Sequence, residues 1–274
     1  MQSREEHFAV DEVILSKGEK AKPTILYEDK NRREANVKHF KMSDGSYQAQ
    51  IYNQPVHYYS ETERRFVTID STLCECPACQ DKEDDFDGYE NKRGNVRVKF
   101  GKHSKNGKIF ALKKGEYGVE CSLIGDESKD RIAELPRKRE SKQAKLSDEV
   151  RYNEIMPNTD LQYVFSNEKI KENIIVRERR EEYEYRFKLR LKNLNVELSE
   201  SGRQINLYTN KIDEETNECN KEIIFTIPMP YMYDADKEIS HDVDYELEDE
   251  GNDNYIFSII ANKEWINSED RKFP

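Results

Sequence analysis

One stretch of the chain decides the fold class: residues 183–192 read YEYRFKLRLK. Apolar residues alternate with charged residues along the whole stretch. Because successive side chains of a β-strand point to opposite faces of the sheet, this spacing puts five apolar side chains on one face and five charges on the other. A shift of one residue would bury all the charges, so the register of this strand is strongly specified.

The same alternation recurs in three further stretches. They are Val96, Val98 and Phe100; Tyr117, Val119, Cys121 and Leu123; and Tyr255, Phe257 and Ile259. Antiparallel sheets commonly leave one face in water, whereas parallel sheets are covered on both faces. We therefore predict a mainly β chain with antiparallel β-sandwich architecture, organised as two β lobes joined by a charged linker.

Composition excludes several classes of protein. The chain has 274 residues, 35% hydrophobic and 37% charged, with a formal net charge of −11. Such polarity is typical of disorder, but 16 Tyr and 11 Phe indicate a folded chain. No run approaches the roughly 18 apolar residues that span a bilayer, so no membrane span is predicted. An acidic chain lacks the basic field that phosphate contacts need, so we predict no nucleic-acid partner.

Changes in composition divide the chain into four parts. We predict an N-terminal extension over 1–30, a first β lobe over 31–128, a charged linker over 129–148 and a second β lobe over 149–274. The linker is rich in Lys and Arg and poor in aliphatic residues. No basic segment followed by an apolar run opens the chain, so no signal peptide is predicted in it.

A weak internal repeat supports the two lobes. Pro55-Val56-His57-Tyr58 is followed by Ile69-Asp70, and Pro230-Tyr231-Met232-Tyr233 is followed at nearly the same distance by Val243-Asp244. Each set comes just after a β-type run. The match needs a gap of one residue, so duplication of a β unit and chance similarity between two hairpins both stay open.

Three thiols lie close together at Cys74, Cys76 and Cys79. The last two have zinc-knuckle spacing, but a structural zinc site needs a fourth ligand and no second C-x-x-C exists. A local disulfide and reduced loop thiols are the alternatives. Cys121 lies on the apolar face of its strand and is interpreted as a core residue. We therefore assign no metal site, with the three clustered thiols as the zinc alternative.

Other chemical motifs are incomplete. Two acidic runs, at 81–90 and 246–251, partly mimic calcium loops, but Gly94 and Phe257 stand where the twelfth-position Glu is required, so we predict solvated loops. The chain has no phosphate-binding glycine loop, no H-E-x-x-H and no G-x-S-x-G. We predict no catalytic residue, no cofactor and no enzyme. Trp265 is predicted to pack in the core, with a sugar-stacking platform as the functional alternative.

Four groups of residues, in order along about 30–274, form a pattern of their own. The first is Arg33, Asn36, Lys38, Phe40, Asp44-Gly45, Tyr47, Tyr52-Asn53 and Pro55-Val56-His57-Tyr58. The second is Phe66, Ile69-Asp70-Ser71-Thr72-Leu73 and Gly88-Tyr89-Glu90-Asn91-Lys92. The third and most specific is Met156-Pro157-Asn158-Thr159-Asp160-Leu161-Gln162-Tyr163 with Lys171-Glu172-Asn173-Ile174-Ile175. The last is Phe225-Thr226-Ile227-Pro228, Pro230-Tyr231-Met232-Tyr233-Asp234, Glu264-Trp265-Ile266-Asn267, Asp270-Arg271 and Phe273-Pro274.

As a set, these groups resemble the N-terminal β-rich region of bacterial wall-associated RHS/YD-repeat and DNRLRE-domain proteins. The resemblance implies a non-catalytic structural β module of a secreted or cell-surface protein, which supports downstream repeats or domains of the same longer polypeptide. Cell-wall glycan is a further candidate partner. The chain lacks the YD repeats, which indicates a fragment, and its thiol-rich segment is not part of the pattern.

Two alternative functions stay open. A carbohydrate-binding β-sandwich predicts a surface row of aromatic residues or an acidic calcium-bound groove. A cytosolic zinc-stabilised interaction module predicts about one zinc per chain, held by the clustered thiols.

Overall fold

The computed structural model describes residues 22–76, 87–104, 108–125, 130–136, 148–166, 168–212 and 217–274. The first ten strands are β1 Ile25–Glu28, β2 Val37–Met42, β3 Tyr47–Ile51, β4 His57–Ser60, β5 Arg65–Thr68, β6 Asp70–Cys76, β7 Gly88–Arg93, β8 Arg97–Gly101, β9 Lys108–Lys114 and β10 Tyr117–Ile124. The next seven are β11 Glu149–Met156, β12 Thr159–Ser166, β13 Lys169–Val176, β14 Glu184–Lys192, β15 Asn195–Leu198, β16 Ile205–Ile212 and β17 Cys219–Ile227. The last four are β18 Met232–Tyr233, β19 Ile239–Ser240, β20 Val243–Gly251 and β21 Asn254–Ala261. A 3₁₀ turn spans Lys30–Arg32, and a short helix, α1, spans Lys263–Asn267.

A large sheet of eight strands forms one layer of the fold. Its order is β20-β21-β14-β10-β9-β8-β7-β6, and all neighbours pair antiparallel. The prediction of a mainly β, antiparallel fold is confirmed. In the described parts of the chain, no helix has the length and apolar content needed to cross a membrane.

The stretch at 183–192 supplies β14, an inner strand of this sheet. Along β14, buried and exposed residues alternate without exception, with the apolar side chains buried and the charges exposed. Leu189 lies opposite Cys121 of β10, and Phe187 lies opposite Phe257 of β21. The predicted alternation is confirmed, because each neighbouring strand presents its own apolar residues on the same face.

Two three-stranded sheets form the second layer, β11-β12-β13 and β15-β16-β17. The Tyr163 ring packs 5.6 Å from Phe100 and 5.5 Å from Phe110, measured between ring centroids. The Tyr152 hydroxyl donates to the Gly101 carbonyl at 2.5 Å. Residues of both layers share one apolar core. The arrangement is therefore a β-sandwich.

The large sheet draws strands from both sides of the predicted 129–148 linker. Strand β10 lies before that segment and β14 after it, and they pair over seven residue pairs. Part of the segment is itself packed: Ala133 is buried and its N–H donates to the Lys102 carbonyl at 2.9 Å. Residues 137–147 lie outside the described part. The division into two lobes stays a prediction.

The prediction that the acidic run at 246–251 forms a solvated loop is wrong. This run belongs to strand β20. Val243 and Tyr245 of this strand are buried, so the carboxylates that alternate with them, such as Glu246, face solvent on the outer strand of the sheet. The other acidic run is mostly outside the described residues.

Trp265 does not lie in the apolar core. It sits half-buried on α1, with the Arg271 guanidinium 4.8 Å from its ring centroid. Its neighbour Ile266 packs against the core instead. The indole of Trp265 lies against the C-terminal segment, next to Arg271. The sequence around a single Trp does not indicate this orientation.

Candidate functional site

The turn between β11 and β12 holds the most specific group of the resemblance. The side chain of Asp160 is fully buried there. Its carboxylate accepts from the Glu154 N–H at 2.8 Å and from Arg151 Nη2 at 2.5 Å. It also accepts from Arg177 Nη2. This carboxylate therefore ties β11, β12 and the end of β13 together.

The pKa of Asp160 reflects these contacts. Burial alone would raise the pKa of this carboxyl, but the Glu154 N–H and the two guanidinium groups outweigh burial and hold the pKa below its usual value. The carboxyl is thus ionised at neutral pH. A charged group so fully paired is suited to holding the turn in place.

Replacing this carboxylate should weaken the fold. We expect Asp160→Asn to lower the free energy of unfolding by about 2 kcal/mol at pH 7, because two arginines lose their shared partner. Both arginines are about a third exposed, which lowers the cost. The difference should shrink as the pH falls below about 3.8, where the unfolded-state carboxyl is protonated first, and it should be lost once the pH is below the lower folded-state pKa. Urea unfolding of wild type and Asp160→Asn at several pH values measures this difference in free energy.

The chain offers a matched control at the same turn. Glu178 accepts from Asn158 Nδ2 at 2.7 Å on the exposed side. Glu178→Gln should change the free energy of unfolding by less than about 0.5 kcal/mol. Equal losses for the two variants would contradict a special role for Asp160.

A second acidic group, Glu172 of β13, faces the interior. It lies opposite Tyr163 on the core-facing side, and the Tyr163 hydroxyl donates to its carboxylate at 2.5 Å. Burial raises the pKa of Glu172 to about 7. The thiol of Cys121 and the phenol of Tyr245 are close enough for its charge to raise their pKa values further, beyond the effect of burial. A carboxyl in such a place can hold a proton near neutral pH.

An exposed histidine and carboxylate meet beside the end of β8. The His103 Nδ1 lies 2.7 Å from an Asp130 carboxylate oxygen, and both side chains are partly open to solvent. Ser104 accepts from the Arg131 N–H at 2.8 Å in the same place. A carboxylate that orients an imidazole is one part of many acid–base sites.

Tyrosines line the surface around the hairpin of β18 and β19. The rings of Tyr231 and Tyr233 are stacked, with centroids 6.2 Å apart, and His241 lies 6.2 Å from Tyr231. Both tyrosines are about half exposed. The carbohydrate-binding alternative predicts such a surface row of aromatics.

The thiols are only partly within the described residues. Cys74 is a half-buried free thiol whose Sγ donates to the Glu90 carbonyl at 3.4 Å. The Cys76 side chain and Cys79 lie outside the described part. Cys121 is buried in the core, as predicted, and burial raises the pKa of its thiol well above the ordinary value. Within the described ranges, no three His, Cys, Asp or Glu residues are placed to hold a metal ion.

Neither Asp160 nor Glu172 is a site residue in the sequence prediction. Both fall inside the third group of the resemblance. The spacing of Glu172, two residues from Ile170 and from Ile174, is a local signal for the core face. The contacts of Asp160 with Arg151 and Arg177 follow from strand pairing and not from local sequence.

Comparisons with known proteins give distant relatives. No family model matches the chain, and no solved structure gives a significant match. The "tRNA(Glu)-specific nuclease WapA" of Bacillus subtilis subsp. natto is 24% identical over 251 residues, which is 89% of this chain and 10% of that protein. The "tRNA nuclease WapA" of Bacillus subtilis matches to the same extent. The "Wall-associated protein" of Geobacillus stearothermophilus is 23% identical over 216 residues, 78% of this chain and 76% of that protein.

These matches support similarity to wall-associated proteins and correct one prediction. The chain spans about a tenth of the length of the nuclease relatives. The prediction that the chain is not an enzyme is wrong against this finding, because relatives that match 89% of it are named tRNA nucleases. That prediction rested on the absence of short motifs, and acid–base groups assembled from distant segments leave no such motif.

Proposed function

We propose that this chain is a structural β-sandwich module of a wall-associated polypeptide of the RHS/YD-repeat or DNRLRE kind. In this proposal it acts at the cell surface and supports adjoining repeats or domains of the same polypeptide. The observation that carries the proposal is the match to the Geobacillus wall-associated protein over about three quarters of both chains. The single core shared by both layers fits a rigid support.

Cell fractionation tests the location. An antibody against this chain should detect the native polypeptide in the cell-wall fraction of the producing bacterium. A cytosolic enzyme serves as the lysis control. Recovery of the polypeptide together with that control would contradict the proposal.

Limited proteolysis tests the supporting role. The longer polypeptide is compared with a version from which 22–274 have been removed. We expect the remaining repeats to be cleaved faster after the removal, because they lose a packed neighbour. Unchanged cleavage rates would contradict a supporting role.

Participation in tRNA cleavage is a second candidate function. The names of three relatives favour it, and the His103–Asp130 pair has the geometry of an imidazole oriented by a carboxylate, as a general base requires. Purified chain would be incubated with total tRNA. Cleavage that falls about a hundredfold in His103→Ala, but not in His241→Ala, would support it. No cleavage above the background of both variants would contradict it.

Binding of cell-wall glycan is favoured by the stacked tyrosines. If sugar rings pack on Tyr231 and Tyr233, the double variant Tyr231→Ala, Tyr233→Ala should bind purified cell-wall polysaccharide about tenfold more weakly. Sedimentation with the insoluble polysaccharide measures this. The matched control is Tyr59→Ala, an equally exposed tyrosine on β4. Equal binding by all three proteins would contradict a glycan platform.

A further inference from the structure

The outer face of the large sheet, which points away from the apolar core, is basic over four neighbouring strands, β8, β9, β10 and β14. Its solvent-accessible cations are Arg97, Lys108, Lys113, Arg186, Lys188, Arg190 and Lys192, and its carboxylates are Glu120 and Glu184. We call this surface the basic face. The net charge of −11 belongs to the whole chain and hides this local excess of positive charge.

Strand pairing places cations in a row across the basic face. Arg97 of β8 lies opposite Lys113 of β9. Gly118 of β10 lies between Lys113 and Lys192 of β14. Because neighbouring strands are about 4.8 Å apart, the strands that carry these two lysines are about 10 Å apart. The glycine adds no side chain to the floor between them.

Short side chains continue this floor along the strands. Ser122 follows on β10 and lies opposite Lys188, and Ala111 lies on β9 opposite Glu120. Glu120 is also on the floor, but its carboxylate is 3.8 Å from the Lys108 Nζ, which offsets its charge. The cations of β14 stand on one side of the floor and those of β8 and β9 stand on the other. The basic face is therefore a shallow channel with positive charge on both sides.

Two of these cations keep their full charge. The Lys188 Nζ lies 3.1 Å from the Glu250 carboxylate and is neutralised there. Lys113 and Arg190 are both exposed, and neither forms an ion pair with any residue that the structure describes. Exposed cations on both sides of one channel create a local field that attracts anions.

The spacing of the cations suits a chain of repeated negative charges. Side chains on one face of a strand are about 6.8 Å apart. Successive positions of this kind on β14 are all basic: Arg186, Lys188, Arg190 and Lys192. On the outer strand β20, the exposed side carries carboxylates instead: Asp244, Glu246, Glu248 and Glu250. These carboxylates would repel an anionic chain, so it would follow the strands over β9, β10 and β14.

The residues of the channel floor describe the chemistry of such a chain. They are Ala111, Gly118, Glu120 and Ser122, and they offer no aromatic ring on which a nucleobase could stack. Proteins that bind single-stranded nucleic acids combine basic grooves with stacking rings. Charges without rings favour a phosphate backbone that carries no bases. The match to a protein named for its association with the wall favours a wall polymer.

We propose that the basic face binds an anionic cell-wall polymer whose units are joined by phosphodiesters, and that Lys113 and Arg190 contact its phosphates directly. A guanidinium can hold two phosphate oxygens at once, and a lysine acts as a point charge. The proposal rests on the proposed function, because a chain at the wall meets such a polymer.

Polymer binding by a double variant tests the proposal. The 274-residue chain and Lys113→Gln, Arg190→Gln are titrated into fluorescently labelled poly(glycerol phosphate), and anisotropy is followed at several salt concentrations. At about 50 mM salt, we expect the double variant to bind about tenfold more weakly than wild type. The slope of log affinity against log salt should be shallower by about two, because two phosphate contacts are lost.

The other layer of the sandwich provides a matched control. Lys169 and Lys171 are exposed on β13, so Lys169→Gln, Lys171→Gln removes the same charge from a different surface. This control should bind the polymer as wild type does. Both double variants should keep the wild-type midpoint of urea unfolding, since they change only exposed side chains.

Three outcomes would overturn the proposal. Equal weakening by both double variants would mean that only net charge matters. No binding of wild type at about 50 mM salt would leave the basic face without this ligand. Tighter binding of total tRNA than of poly(glycerol phosphate), at equal phosphate concentration, would make a nucleic acid the occupant. A chain that is found in the wall fraction but does not bind the polymer keeps the proposed function and loses this proposal.

Discussion

Phe187→Ala should lower the free energy of unfolding by about 3–5 kcal/mol, the usual cost of removing a buried phenylalanine. Phe187 is 1% exposed at the centre of β14. It lies opposite Leu123 of β10 and opposite Phe257 of β21, with the two phenylalanine rings 6.2 Å apart. The cavity would therefore open where strands from both parts of the chain meet.

Equilibrium unfolding in urea measures this loss. Arg190→Ala, on the exposed face of the same strand, is the control and should change the free energy by less than about 0.5 kcal/mol. A small loss for Phe187→Ala, similar to the control, would mean that β14 does not hold the two layers together.

Glu172→Gln should make the protein more stable than wild type at pH 8 and above. Burial raises the pKa of this carboxyl from an ordinary value of 4.5 to about 7 in the folded state. A shift of this size corresponds to about 3 kcal/mol, because each pKa unit is worth about 1.4 kcal/mol. The glutamine carries no charge into the core at any pH, so the variant avoids this cost.

The pH range follows from the direction of the shift. Below about pH 4.5, Glu172 is protonated in both the folded and the unfolded states, so it causes no pH dependence. Between about 4.5 and 7, the unfolded state ionises first, so wild-type stability falls as the pH rises. Unfolding curves from pH 4 to pH 9 should show this fall in wild type and a flatter profile in the variant.

A surface carboxylate provides the control for this experiment. Glu246→Gln, on the solvent-facing side of β20, should leave the pH profile like that of wild type. If Glu172→Gln and Glu246→Gln behave alike, Glu172 does not face the interior.

The strands with one solvent-exposed face were predictable from the sequence. The alternation at 183–192 predicts the burial pattern of β14 because each side chain's face follows from its position alone. Cys121 was assigned to the core for the same reason. Local spacing is sufficient for such residues.

Pairing between distant strands was not predictable. Nothing near Tyr117 or Glu184 indicates that their strands lie side by side, because many apolar strands of similar length compete as neighbours. Glu172 lies two residues from both Ile170 and Ile174, which pack against the core, so spacing alone places it on the core face. Only its charge suggests a position at the surface. The run at 246–251 was predicted to be a loop because most of its residues are charged. The buried residues of its strand, Val243 and Tyr245, come before the run.

Cleavage of the chain between its two parts tests the account most directly. A site for a specific protease is placed between Lys138 and Ser141, and the cut protein is run on a size-exclusion column without and with urea. Because β10 pairs with β14 inside one sheet and one core, we expect the two fragments to elute together and to separate only in urea. Separation into two folded fragments without urea would contradict a single sandwich.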